Sequence, residues 1–85
     1  MVSLPTITGK QLIDLLEKDG WKRKRYATHG VSMYKYNEKM KRNLVTIIPN
    51  KSKELPIGTL MDILGQKQTK IGRGGFLKLI EKYGI

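Results

Sequence analysis

One imidazole, His29, is the only side chain in this sequence whose unperturbed pKa, about 6.5, lies near neutrality. It stands in Ala27-Thr28-His29-Gly30, directly after the basic run Lys22-Arg23-Lys24-Arg25. An imidazole delivered to a place where phosphates collect is suited to RNA cleavage without a metal. That reaction needs a base for the ribose 2′-OH, cations for the charge that builds on phosphorus, and orientation. The residues allow a plainer reading, in which His29 is a solvated turn residue and the basic run is an edge strand charged against edge-to-edge pairing. The interleaving of the cations with Trp21, Tyr26, Tyr34 and Tyr36 favours nucleic acid, because aromatic faces stack on bases while cations hold the backbone. Trp21 follows the helix-ending Gly20 and is expected in the core.

Other chemistries fall away on residue types. With Cys 0 and His 1 there is no thiol nucleophile and no ligand set for a zinc site. The acids Asp14, Glu17, Asp19, Glu38, Glu54, Asp62 and Glu81 are scattered among lysines, without the spacing of a two-metal nuclease or a calcium loop. Gly72-Arg73-Gly74-Gly75 only loosely resembles a phosphate-cradling loop, since the lysine and the strand–helix context are missing. No metal and no cofactor are expected.

The elements that must position His29 follow from length and pattern. The chain has 85 residues, 39% of them hydrophobic, enough for one domain with one small core and too little for a deep cofactor cavity. Lys+Arg 17 against Asp+Glu 7 gives a net charge of +10, which attracts polyanions, so RNA, DNA or an acidic protein are the expected partners. A membrane surface would call for a basic amphipathic helix, and the cations lie in strands and loops instead. Met1 to Gly9 lacks the pattern of a signal peptide, and the longest aliphatic stretch, Leu44 to Ile48, cannot span a bilayer, so a cytoplasmic protein is expected.

Thr8 and Gln11 form a capping-box pattern ahead of Leu12, Ile13, Leu15 and Leu16, with Ile7 placed to staple the first turn and Gly20 to end the helix, which predicts a helix over about 9–19. Lys22 to Tyr26 and the alternating Val31 to Tyr36 read as a hairpin turning at 27–30. A looser turn over 37–42 leads to Leu44 to Ile48, a strand apolar at every other position and between, expected to be the best buried of the three. Pro56 can open a second helix with Ile57, Leu60, Ile63 and Leu64 at helical spacing. Gln66 to Gly75 reads as a basic, glycine-rich loop before a short helix around Phe76, Leu77, Ile80 and Tyr83 that Gly84 closes. The expected fold is α+β, α-β-β-β-α, with a three-stranded antiparallel meander, helices against one face and a C-terminal helix added. The core spans about 9–65 and the extension 66–85.

Gly9-Lys10-Gln11-Leu12-Ile13-Asp14-Leu15-Leu16-Glu17-Lys18-Asp19-Gly20-Trp21, followed by a basic strand and a histidine turn, resembles the HicA family of toxins. Leu44 to Pro49 and Lys53-Glu54-Leu55-Pro56-Ile57-Gly58-Thr59-Leu60 look like that family's third strand, loop and next helix. The resemblance implies a double-stranded-RNA-binding-domain-like fold and a ribonuclease, an mRNA interferase, that is neutralised by a HicB-type antitoxin. It implies a catalytic histidine in the turn after the first strand, here His29, preceded by Thr28 where the family usually has serine. Lys22, Lys24, Arg25, Thr28 and Lys35 are the candidate RNA and phosphate contacts. Ala27-Thr28-His29-Gly30 departs from the family's Gly-Ser-His, and Lys67-Gln68-Thr69-Lys70 is an insertion. A non-catalytic RNA-binding module and a small basic protein with only an acidic protein partner stay open as alternatives. An antitoxin is expected to cover the histidine turn and the 22–25 strand with acids.

Overall fold

A computed structural model describes residues 5–27 and 30–84, so Thr28 and His29 lie outside the described residues. Helix α1, Gly9–Lys18, opens on the anticipated capping box: the Gln11 N–H donates to Thr8 Oγ1 at 3.1 Å and the Thr8 N–H to Gln11 Oε1 at 2.9 Å. Leu12, Ile13, Leu15 and Leu16 are buried on one stripe, with Ile7 buried beside them. Gly20, at φ +99°, takes the left-handed conformation that turns the chain out of the helix.

Strands β1 (Lys22–Ala27), β2 (Gly30–Asn37) and β3 (Arg42–Ile48) form the antiparallel sheet β1-β2-β3. Helices α1 and α2 (Ile57–Leu64) share one apolar cluster with Trp21, Val31, Met33, Leu44 and Ile48, which places both on one face of the sheet. Pro56 stands at the N-cap of α2, whose Leu60, Ile63 and Leu64 are buried. Before it, the Leu55 N–H donates to Ile7 O at 2.8 Å and Glu54 bridges Thr8, so the two chain segments that lead into the helices are tied together.

Two expectations are corrected. β3 is an edge strand, and only Leu44, Thr46 and Ile48 are buried, while Val45 and Ile47 face outward and are exposed. The best-buried strand is the central β2, because the helices cover a single face and strand alternation presents every second residue of β3 to the other. The second correction concerns the glycine-rich run, which is helical: α3 spans Gly72–Tyr83. Gly74 and Gly75 cost roughly 1 kcal/mol each relative to alanine, while Gly72 opens the helix at φ +70°, and tertiary packing offsets the cost, with Phe76 fully buried in the core and Ile71, Leu79, Ile80 and Tyr83 packed against it. The insertion has a structural role. The Thr69 hydroxyl donates to Ile63 O at 2.8 Å and the Thr46 hydroxyl to Gln68 Oε1 at 2.6 Å, joining the α2–α3 connection to the last turn of α2 and to β3. Among the described residues no helix is long and apolar enough to cross a membrane.

Candidate nucleic-acid interface

Strict alternation along Lys22-Arg23-Lys24-Arg25 would divide the four cations two and two between the faces of the sheet. A register shift intervenes. Lys22 partners Tyr34 and Arg23 partners Met33, but Arg25 then partners Ser32, so a bulge between Arg23 and Arg25 absorbs one residue. Lys22 and Arg25 consequently lie on the side of Tyr34 and Ser32, the face without helices. Lys24 joins them there, lining a shallow depression of about 300 Å³ with Tyr34, Asn43 and Val45. Three of the five candidate contacts therefore share one face of the strand that leads to His29.

Arg23 has the opposite fate. Its Nε donates to Glu17 Oε2 at 3.0 Å and its Nη2 to Glu17 Oε1 at 2.9 Å, a two-pronged link from β1 to α1, with Asp14 at 3.8 Å. Nη1 donates to Tyr26 Oη at 2.8 Å. The Glu17 hydrogen bonds, reinforced by Tyr26, raise the guanidinium above its ordinary pKa, so this cation is held by its own fold. The link also fixes the hydroxyl of an exposed tyrosine one residue before the end of β1.

Lys35 does not join the others. It partners Leu44 on the helix-covered face, and its Nζ donates to Asp19 O at 2.8 Å and lies 3.4 Å from Asp19 Oδ2. The sequence reading has Lys35 steadying the phosphate; its position between Tyr34 and Tyr36 turns it instead toward the C-terminus of α1, where a cation meets the helix dipole. Trp21, at 3% exposure, is a core residue as expected.

β1 and β2 meet at the Ala27–Gly30 pair, the two residues that flank Thr28-His29 in the chain. Gly30 has φ +150°, and a Cβ there would run into the Ile48 carbonyl oxygen. The end of the hairpin thus abuts the end of β3. Gly9 likewise has no room for a Cβ, this time against the Pro49 carbonyl, so the start of α1 and the β2 end of the hairpin flank the same Ile48–Pro49 segment. Sequence reasoning missed Asn43 and Val45, and it named Tyr26 among the interleaved aromatics without foreseeing its bond to Arg23. The offset of Val45 and Ile47 from Leu44, Thr46 and Ile48 is the signal that could have exposed the first two. Among the described residues no group of three or more Asp, Glu or His side chains is gathered where it could hold a metal ion.

These features define a small α+β domain with helices on one side of its sheet and a basic, partly aromatic surface on the other. A family model described as the HicA toxin of bacterial toxin–antitoxin systems matches residues 9–71, and the chain belongs to that family. It is thereby the toxin component of a toxin–antitoxin pair, and the family implies a HicB-type antitoxin as its partner. Searches of curated proteins and of solved structures give no match.

Proposed function

We propose that this toxin is an endoribonuclease that cuts mRNA without a metal, with His29 as the catalytic group. The observation that carries the reading is the bulge in β1, which gathers Lys22, Lys24 and Arg25 on one side of the strand leading directly to the histidine, in a chain of the HicA toxin family. Phosphates drawn to those cations bring a ribose to the imidazole. His29 removes the 2′-OH proton, the 2′-oxygen attacks phosphorus, and the bond to the 5′-oxygen breaks, leaving a 2′,3′-cyclic phosphate and a 5′-hydroxyl. Microscopic reversal of this assignment, with His29 as acid toward the 5′-oxygen, uses the same residue. Either way one proton transfer is left to another group. Tyr34 lies four residues along β2 from Gly30, about 13 Å at 3.3 Å per residue, so water is better placed. Lys24 and Arg25 steady the phosphate, and Thr28 hydrogen-bonds beside it.

The test is cleavage of a defined mRNA by purified protein in EDTA, with end mapping. Wild-type protein should leave cyclic phosphates, and His29→Ala should lose at least about 10²-fold in rate, the lower end of what general acid–base catalysis contributes, with an unchanged circular dichroism spectrum. Wild-type protein that binds RNA without cutting it would assign the same surface to the non-catalytic module. Cleavage by His29→Ala at the wild-type rate would remove the histidine from the mechanism.

A further inference from the structure

Tyr26 is 66% exposed, yet its hydroxyl is held at 2.8 Å by Arg23 Nη1, and Glu17 of α1 grips the same guanidinium through two bonds. One arginine thus ties an outward aromatic ring to a helix. A π-face ordered before its ligand arrives loses less entropy on binding, and exposed aromatic rings are where unpaired bases stack. Tyr26 pairs with Val31, one step before the Ala27–Gly30 pair that flanks Thr28-His29 in the chain.

Arg23 also borders a depression of about 250 Å³, lined with it by Lys10, Ile13, Asp14 and Asn50. Asp14 lies 3.8 Å from Arg23 Nη2, outside hydrogen-bond reach, and its side chain is 70% exposed, so the carboxylate can accept from another donor. Lys10 and the Asn50 amide supply donors across the same rim. A carboxylate in the wall repels phosphate and accepts from N–H, so this rim suits the edge of a neutral base better than the backbone. The open face, with Lys22, Lys24 and Arg25, carries no such acid among its described residues. Because β1 is an edge strand, RNA held by Arg25 on one face can turn round that edge and lay its next base on Tyr26.

We propose that Tyr26 and the Asp14 depression form a subsite for one unpaired nucleobase beside the cleaved bond, and that the subsite selects guanine. Tyr26 stacks the ring. Guanine alone among the four RNA bases presents two adjacent donors, N1–H and the N2 amino group, for Asp14 to accept, with O6 beside them for Lys10 or Asn50. Arg23 is a positioning residue that holds the phenol and stands between it and the carboxylate. The inference rests on the reading of RNA as the substrate and adds to it a preference for the cleavage site.

The test uses full-length His29→Ala protein, which leaves RNA intact, and oligouridines that carry one central guanosine, inosine or abasic nucleotide, with affinity read by fluorescence anisotropy. Inosine keeps the stacking ring and lacks only the N2 amino group. The guanosine oligonucleotide should bind at least about tenfold more tightly than the inosine one, the low end for a hydrogen bond to a charged group, and adding Asp14→Asn should erase the difference. Adding Tyr26→Leu should weaken guanosine binding at least about fivefold, the low end for one stacked base, and leave abasic binding unchanged. Equal losses on guanosine and abasic RNA, or a guanosine preference that survives Asp14→Asn, overturns the inference. Thermal midpoints check each fold, and Tyr26→Thr replaces the leucine variant if that one fails to fold. Base-selective binding by a protein whose wild type cuts no RNA refutes the nuclease reading and upholds the subsite, whereas a protein that binds none of the oligonucleotides overturns both.

Discussion

Lys24 and Lys35 sit on adjacent strands of the same sheet, and their environments give them opposite tasks. Lys35 donates to the carbonyl of Asp19, which caps α1, whereas Lys24 looks out from the bulge beside Tyr34. Lys35→Met should therefore lower unfolding free energy by about 0.5–1 kcal/mol, the usual worth of a cation at a helix C-terminus, and leave RNA cleavage nearly unchanged. Lys24→Met should do the reverse, weakening RNA binding and reducing its salt slope by about 1 without moving the urea midpoint. Equal losses of cleavage in the two variants would show that the phosphate path crosses both faces. Arg23 belongs with Lys35. Its side chain is 35% exposed and that of Glu17 39%, so solvent screens the pair and Arg23→Gln should cost only about 0.5–1 kcal/mol. A guanidinium raised above its ordinary pKa stabilises the fold below that value and loses its contribution only in strong alkali. The α1–β1 link adds no pH dependence through Arg23 near neutrality.

At the level of elements, the hairpin is seated by what its end lacks. Gly30 combines φ +150° with direct contact to the Ile48 carbonyl, so Gly30→Ala meets both a backbone penalty and a clash with main chain. A loss of about 2–4 kcal/mol is expected, combining roughly 1 kcal/mol for conformation with 1–3 for overpacking, read from the urea midpoint. Gly74 offers the contrast. It lies within α3 with nothing near its missing Cβ, so Gly74→Ala should stabilise by about 0.5–1 kcal/mol. A destabilised Gly74→Ala protein would mean that α3 is not helical through its glycines. Phe76→Ala, which empties the contact holding α3 to the core, should cost about 3–5 kcal/mol.

For the molecule as a whole, the governing quantity is +10 of charge on a small body. Association with RNA and with an acidic antitoxin should both slow as salt rises, since the Debye length shrinks from about 10 Å at 0.1 M to about 3 Å at 1 M. Stopped-flow measurements from 0.05 to 0.5 M salt check this, and association rates indifferent to salt would count against electrostatic steering.

The order of helices and strands, the meander and much of the core were legible in the chain, because capping at Thr8, the leucine stripe of α1, alternation in β2 and the glycine at position 20 are local signals that act within a few residues. His29 and the cations around it were legible too, as residue types. Which way those cations point was not. A bulge adds one residue to β1 without marking the sequence, and it sends Arg25 to the open face with Lys22 and Lys24. Exposure of Val45 and Ile47 likewise depends on both helices packing on one side of the sheet, a choice made by long-range burial that no stretch of β3 encodes alone. The glycine-rich start of α3 is helical for the same reason: local preference runs against it, and the burial of Phe76 in the core shared with the first two helices prevails.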